Sequence, residues 1–143
     1  MTTAASYSDR NELLDAWRGA RRTIALIAHD QKKQALADWV EAHQVCLAGH
    51  ELIATGTTSK ILSERCPDLS ICAMKSGPLG GDQQVGAMIA TGNVHMLVFF
   101  TDPLSPHPHD VDVKALSRLA TVYDLPMACS PATATALAIA LLE

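Results

Sequence analysis

The sequence predicts an α/β fold: a three-layer, doubly wound sandwich around a five-stranded, mostly parallel sheet. Five short apolar runs are nearly continuous rather than alternating, which is typical of strands buried on both faces. Stretches of helical periodicity separate these runs, so the pattern is a repeated β-α unit. Right-handed crossovers between parallel strands then place helices on both faces of the sheet.

Each element has a predicted range. The predicted strands are Thr23–Ala28, Glu51–Ala54, Ser70–Met74, His95–Phe100 and Pro126–Cys129. The predicted helices are Asp9–Arg18, Gln31–His43, Ser59–Arg65, Asp82–Thr91, Val111–Tyr123 and Ala132–Leu142. In the second of these helices, Leu36, Trp39, Val40 and His43 recur at spacings of three and four, which predicts a shared face.

Length and composition indicate one cytoplasmic domain over residues 1–143, in which residues 1–21 form an N-terminal helical extension. Apolar residues make up 48% of the chain, enough for a core without disulfides or structural metal. The formal charge of -4 and the few aromatic residues argue against nucleic-acid binding. The longest apolar run, Ala136–Leu142, is far shorter than the ~20 residues that span a bilayer. Met1–Arg10 does not resemble a signal peptide.

The cysteines and most of the histidines indicate packing rather than metal binding. No two cysteines form a C-x-x-C pair, and Cys72 and Cys129 fall in strand-like runs, where we expect reduced, buried thiols. The cluster His107, His109, Asp110 and Asp112 could be read as metal ligands, but intervening prolines and the mixed ligand types make this the minor interpretation. We expect surface or packing positions for His43, His50 and His95.

The turns after the first two predicted strands carry groups that suit an anion. In doubly wound sheets, ligands bind beyond the carboxyl ends of the strands. His29 and Lys33 are four residues apart at a helix start, so both can face one ligand. The hydroxyl-rich turn Thr55–Ser59 leads into a helix whose free N–H groups and dipole favour an anion. Simple N-capping by the threonines accounts for this turn equally well.

The next turns add glycines, carboxylates and a histidine. The segment Ser76–Gly86 has three glycines before a helix, which let the backbone approach a ligand closely. Asp82 falls in the first turn of that helix, and an N-cap is the alternative interpretation. Asp102, His109 and Asp110 follow the fourth strand, and Asp110 has the same alternative. Together the strand ends predict a phosphate-binding site beside acid–base groups.

At these turns the chain resembles the methylglyoxal synthase family, from about Thr23 to Thr133. The run G-G-D-Q-Q-V-G at residues 80–86 is highly specific. The matching segments are Ala28–Lys33, Trp39–Glu41, Ala54–Thr58, Ser76–Ala87, Phe99–Leu104 and Pro108–Leu116. The resemblance implies a flavodoxin-like fold, a homohexamer, and no metal or organic cofactor. It also implies a carbon–oxygen lyase that converts dihydroxyacetone phosphate to methylglyoxal and inorganic phosphate through an enediolate, with phosphate as product and inhibitor.

The resemblance further implies roles for individual residues. Asp82 matches the base that removes a proton beside the carbonyl carbon. His29 and His109 match residues around the carbonyl and hydroxyl oxygens, and Asp102 matches a supporting carboxylate. Asp82, His109 and Asp102 are therefore the expected catalytic residues. The implied phosphate-binding residues are Lys33, Thr55, Gly56, Thr57, Thr58, Ser76 and Gly77.

Two departures from the family pattern lie near the end of the chain. Ser130 and Thr135 stand where members usually carry an asparagine and an acidic residue. The chain ends at Glu143, whereas familiar relatives add a polar tail with a basic residue that approaches a neighbouring subunit's site. We therefore expect simple competitive inhibition by phosphate rather than cooperative feedback.

Two other function classes compete with an enzyme. A non-catalytic regulatory domain of the same fold would bind a small anion, but it would need only the phosphate cradle and not Asp82, Asp102 and His109. A flavin-binding domain would place aromatic side chains beside the ring, and the strand-end loops contain none. The acid–base residues therefore favour an enzyme.

Overall fold

A parallel β-sheet is the central layer of the fold. The computed structural model describes residues 20–105 and 110–143, with only the backbone of residues 110–113. The strands lie in the order β3-β2-β1-β4-β5, and every neighbouring pair is parallel. Their bounds are β1 (Thr23–Ala28), β2 (Glu51–Thr55), β3 (Ile71–Met74), β4 (Met96–Phe100) and β5 (Met127–Ala128).

The helices alternate with the strands along the chain. Their bounds are α1 (Lys33–Ala42), α2 (Gln44–Leu47), α3 (Gly56–Arg65), α4 (Gly81–Ala90), α5 (Asp110–Val122) and α6 (Pro131–Leu141). Two 3-10 turns, Asp30–Lys32 and Gly77–Leu79, precede α1 and α4. No helix in the described ranges is both long enough and apolar enough to cross a membrane.

The sheet separates two apolar clusters, so the predicted three-layer sandwich is confirmed. Because successive side chains of a strand point to opposite faces, Ile24 and Leu26 belong to one cluster, while Ala25 and Ile27 belong to the other. Buried residues of α1, α3 and α6 pack in the first cluster. Buried residues of α4 and α5 pack in the second. The shared face of α1 is also confirmed, since Trp39 stacks on the His43 ring at 4.4 Å.

Burial on both faces holds for the central strands but not for the edge. Every residue of β1 and β4 is buried, whereas the edge strand β3 is only partly covered. The prediction that Cys72 and Cys129 are buried is wrong: Cys72 lies on β3, Cys129 follows the end of β5, and both are exposed. None of the four cysteines, all of which lie in the described ranges, takes part in a disulfide.

Most predicted boundaries lie within one residue of the observed ones, and the larger differences are at two helix starts. The helix predicted from Ser59 begins at Gly56, so residues expected to form a loop are its first turn. The helix predicted from Gln31 begins at Lys33, after a 3-10 turn, and α2 was not predicted. The predicted helix Asp9–Arg18 lies outside the described residues, as does most of the expected extension.

Two histidines hold the start of β1 at the amino-terminal edge of the sheet. The backbone N–H groups of Arg22 and Thr23 donate hydrogen bonds to Nδ1 of His50 and His95, each at 3.0 Å. Because a backbone N–H can only donate, each Nδ1 must be unprotonated. Burial lowers the pKa of both imidazoles, and the nearby Arg21 and Arg22 charges lower that of His50 further.

This arrangement predicts a loss of stability in mild acid. The unfolded chain takes up protons near the ordinary imidazole pKa of 6.5, whereas the folded chain resists them until lower pH. The contribution of His50 and His95 is therefore complete above pH 6.5 and is lost as the pH falls through their lowered values. In the double variant His50→Asn, His95→Asn, the amide oxygens can accept the same bonds without titrating, so urea unfolding between pH 7.5 and 5.5 should depend less on pH. An equally steep pH dependence in this variant would contradict the assignment.

Candidate active site

Buried polar side chains concentrate at the carboxyl edge of the sheet. Among the described residues, the buried polar or charged side chains are Thr23, Thr55, Thr58, Ser59, Asp82 and Asp102. All except Thr23 lie at the carboxyl end of a strand or in the segment that follows it. Because burying a polar group without a partner is costly, this concentration marks the edge as the candidate site.

The first turn of α3 has the features of an anion-binding site. Thr55 occupies the N-cap position with extended backbone, but its side chain makes no capping hydrogen bond. Thr58 is 1% exposed, and within the described ranges its hydroxyl has no hydrogen-bond partner. The Ser59 hydroxyl donates to the carbonyl oxygen of Gly56 at 2.7 Å. Capping by the Thr55 side chain is therefore the wrong interpretation of this turn. That side chain accepts no hydrogen bond from the first N–H groups of α3 or from the Thr58 hydroxyl, so these donors can bind an anion.

The turn after β3 lies directly against α3 and α4. A Cβ atom added at Gly56 would lie 2.9 Å from the backbone nitrogen of Ser76, and one added at Gly81 would overlap the carbonyl oxygen of Lys75. The N–H of Gly56 also donates to that carbonyl oxygen at 3.3 Å. Only glycine allows these approaches, so the starts of α3 and α4 are held close together.

Asp82 lies in the first turn of α4 and is only 8% exposed. The N-cap position belongs to Gly80, whose φ of 103° suits glycine, so the N-cap alternative for Asp82 is wrong. A Cβ atom at Gly77 would lie 3.6 Å from the Asp82 Oδ1 atom. The carboxylate therefore faces the turn that carries Ser76 and Gly77, and the α4 dipole favours its charge.

A lysine stands at the start of α1, after β1. The Lys33 side chain is 17% exposed, and its Nζ atom lies 2.7 Å from Oδ1 of Asp30, which is well exposed. The cation is therefore largely buried, while its partner carboxylate faces solvent. An anion entering this edge would compete with Asp30 for the ammonium group.

His29 and Asp102 connect the ends of β1 and β4. The backbone N–H of Asp102 donates to His29 Nδ1 at 2.8 Å, and the backbone N–H of His29 donates to the carbonyl oxygen of Phe100 at 3.1 Å. A neutral His29 ring must therefore carry its proton on Nε2, which is buried. Oδ1 of Asp102 accepts the N–H of Leu104 at 3.2 Å.

The structure brings together some of the predicted residues in two groups. One group contains Gly56, Ser76, Gly77 and Asp82, and the other contains His29 and Asp102. Thr57 is exposed at the same helix start as Thr58. Of the remaining predicted residues, Lys33 pairs with Asp30, Thr55 is the N-cap residue of α3, and His109 lies outside the described residues.

The alternative metal site also falls largely outside the described residues. His107 and His109 are not described, and the side chains of Asp110 and Asp112 are not described either. In the ranges that are described, no group of three or more histidine, cysteine or acidic side chains could hold a metal ion.

Two residues of this edge lie in the predicted turns but have no role predicted from the sequence. Ser59 is the first residue of a predicted helix, but in the structure it is buried beside the Gly56 carbonyl. Gln84 is part of the family motif, and its Oε1 atom accepts a hydrogen bond from the N–H of Lys75 at 2.7 Å. For Gln84, the only sequence signal is the pair of glutamines after Asp82. This pair does not show which backbone group either side chain contacts.

Comparison with known proteins gives a consistent result. A family model described as "MGS-like domain" matches residues 35–129. A methylglyoxal synthase from Agrobacterium fabrum strain C58 is 64% identical over 114 residues, covering 80% of this chain and 90% of the relative. A methylglyoxal synthase from Brucella ovis is 59% identical over 121 residues, covering 85% of this chain and 97% of the relative.

A solved structure has the same fold. The crystal structure of methylglyoxal synthase from Elizabethkingia anophelis NUHP1 superposes with a TM-score of 0.78 at 50% sequence identity. The match covers 82% of this chain and 76% of that chain.

Proposed function

The chain belongs to the methylglyoxal synthase family, and from this membership we propose that it eliminates inorganic phosphate from dihydroxyacetone phosphate to leave methylglyoxal. It is an enzyme of the lyase class that acts on a small molecule. The residues at the carboxyl edge of the sheet suggest how the reaction proceeds.

The observation that carries the proposal is the first turn of α3. Thr58 buries a hydroxyl without a partner in the described ranges, at a helix start that Thr55 does not cap. A phosphate dianion bound there would accept hydrogen bonds from the hydroxyl and from the first N–H groups of the helix. Ser76 lies against the same turn, and Lys33 would supply the balancing positive charge. This combination of donors suits a phosphate ester.

Asp82 is the proposed base. Its carboxylate would take a proton from the hydroxymethyl carbon beside the carbonyl, and the released electron pair would form the carbon–carbon double bond of an enediolate. Negative charge would then build up on the former carbonyl oxygen. His29 can donate a hydrogen bond from Nε2 to that oxygen, because Asp102 N–H occupies its other nitrogen. His109 is proposed to assist at the carbonyl and hydroxyl oxygens.

Elimination follows from the enediolate. The hydroxyl on the deprotonated carbon would lose its proton to the former carbonyl oxygen and become an aldehyde carbonyl. The carbon–carbon double bond would then shift to the phosphate-bearing carbon and break that carbon's bond to the bridging oxygen. Inorganic phosphate would leave with the proton held by Asp82, and the resulting enol would tautomerise to methylglyoxal. This step is fast only when the breaking bond overlaps the enediolate π system. The phosphate cradle therefore has a catalytic purpose, because it sets that torsion as well as binding the charge.

The variant Asp82→Asn tests the base. It keeps the size of the side chain but removes the proton acceptor, so kcat should fall by about 10²-fold or more while phosphate still binds. The assay measures released phosphate and methylglyoxal from dihydroxyacetone phosphate. Asp68→Asn is the matched control and should keep wild-type turnover, because Asp68 is exposed and lies before β3, away from the carboxyl edge of the sheet. If Asp82→Asn also kept it, Asp102 would become the candidate base.

The variant Lys33→Met tests the cation. Removing a charged partner should weaken the binding of inorganic phosphate by about 1.5–3 kcal/mol, measured by calorimetry. Asp30→Asn is the control, because it removes the carboxylate that competes for the ammonium group and so should not weaken binding. Equal affinity of Lys33→Met and the wild type would exclude Lys33 from the phosphate site.

We also propose a homohexamer of single-domain chains in the cytoplasm, following the family resemblance. Large apolar side chains that are almost fully exposed, including Val45 and Leu104, are consistent with contacts between subunits. Sedimentation velocity should show a particle several times heavier than the 15.3 kDa chain. A single species of chain mass at micromolar concentration would contradict this proposal.

A further inference from the structure

We propose that Gln84 is a positioning residue, whose side-chain oxygen braces the turn carrying Ser76 and Gly77 against α4. The brace fixes where Asp82 stands relative to the bound phosphate. This inference rests on the proposed function, because it assigns Gln84 to the geometry of the same site.

The contact joins two segments whose relative position must stay fixed during the reaction. The N–H of Lys75, directly after β3, donates to Gln84 Oε1 at 2.7 Å. Lys75 leads into Ser76 on the phosphate side, and Gln84 lies two residues after Asp82 on α4. This hydrogen bond therefore links the segment that carries the proposed phosphate contacts to the helix that carries the proposed base.

Both backbone groups of Lys75, the N–H and the carbonyl, form hydrogen bonds to neighbouring helices. Its carbonyl oxygen accepts the N–H of Gly56 at the start of α3, while its own N–H reaches Gln84 on α4. The carbonyl of Ser76 accepts the N–H groups of Leu79 and Gly81 at 3.0 and 2.9 Å. Removing the Gln84 oxygen would leave the bonds from Gly56 and Gly81 in place but would remove the bond that joins the Lys75 N–H to α4.

The position of this turn matters for the chemistry. Gly77 lies beside the Asp82 carboxylate, where an added Cβ would be in ordinary contact with Oδ1 at 3.6 Å. Proton abstraction and phosphate loss require one substrate molecule to meet the base and the cradle simultaneously. A misplacement of about 1 Å can cost on the order of 10²-fold in rate. The side chain of Gln84 is exposed, so its replacement leaves the core intact.

Two variants at this position separate the brace from other effects. Gln84→Met keeps an unbranched side chain of similar length but has no strong acceptor. Gln84→Glu keeps an oxygen at the same reach. Gln44→Met is the matched control, because the Gln44 amide bonds the Glu41 carbonyl on a distant part of the fold.

Turnover and phosphate binding should respond differently to the loss of the brace. In Gln84→Met we expect kcat to fall about tenfold or more, while calorimetry with inorganic phosphate shows unchanged stoichiometry and affinity within about threefold. The stoichiometry counts folded sites, so it separates mispositioning from partial unfolding. Gln84→Glu should restore kcat to within about threefold of the wild type, and Gln44→Met should match it.

Several outcomes would overturn the inference. They are wild-type kcat in Gln84→Met, a loss of kcat that only follows a loss of binding sites, and failure of Gln84→Glu to restore turnover. If the wild-type chain produced neither phosphate nor methylglyoxal, the proposed function would fail first. Hydrogen exchange at the Lys75 amide still tests the brace: exchange should be faster in Gln84→Met than in Gln84→Glu, and equal rates would refute it.

Discussion

The close approach of three backbone segments at the carboxyl end of β3 is the constraint on which the site depends. The Lys75 carbonyl lies where a side chain on Gly81 would have to be, and Gly56 donates its N–H to the same oxygen. Two helices can therefore begin next to each other, α3 with its hydroxyl groups and α4 with Asp82. Both helix starts present positive dipole ends to one place, which favours a bound anion and an ionised carboxylate together.

Histidine rings that accept backbone hydrogen bonds occur at both edges of the sheet. At the amino-terminal edge, His50 and His95 accept N–H groups at the start of β1. At the carboxyl edge, His29 accepts the N–H of Asp102. In each case the bond requires an unprotonated Nδ1. The same interaction therefore stabilises the fold at one edge and selects the donor nitrogen of His29 at the other.

The layers of the fold could be predicted from the sequence because their signals are local. The strand Thr23–Ala28 has the bounds predicted for it, since the uninterrupted apolar run Ile24–Ala28 is typical of a short buried strand. Exposure along β3 could not be predicted in the same way. Whether Cys72 is covered depends on the place of its strand in the sheet, and strand order is a property of the whole chain.

For the site, the sequence by itself determined which residues follow the strands, and so which chemical groups gather at the carboxyl edge. It also indicated the family, from the motif around Asp82. Only the tertiary structure decided that Thr55 does not cap α3, that Asp102 holds His29 through its backbone, and that Lys75 meets Gln84. These features depend on how distant segments fold against each other. Whether a hydrogen bond forms is decided by differences of a few tenths of an ångström in distance, and no spacing in a sequence encodes such differences.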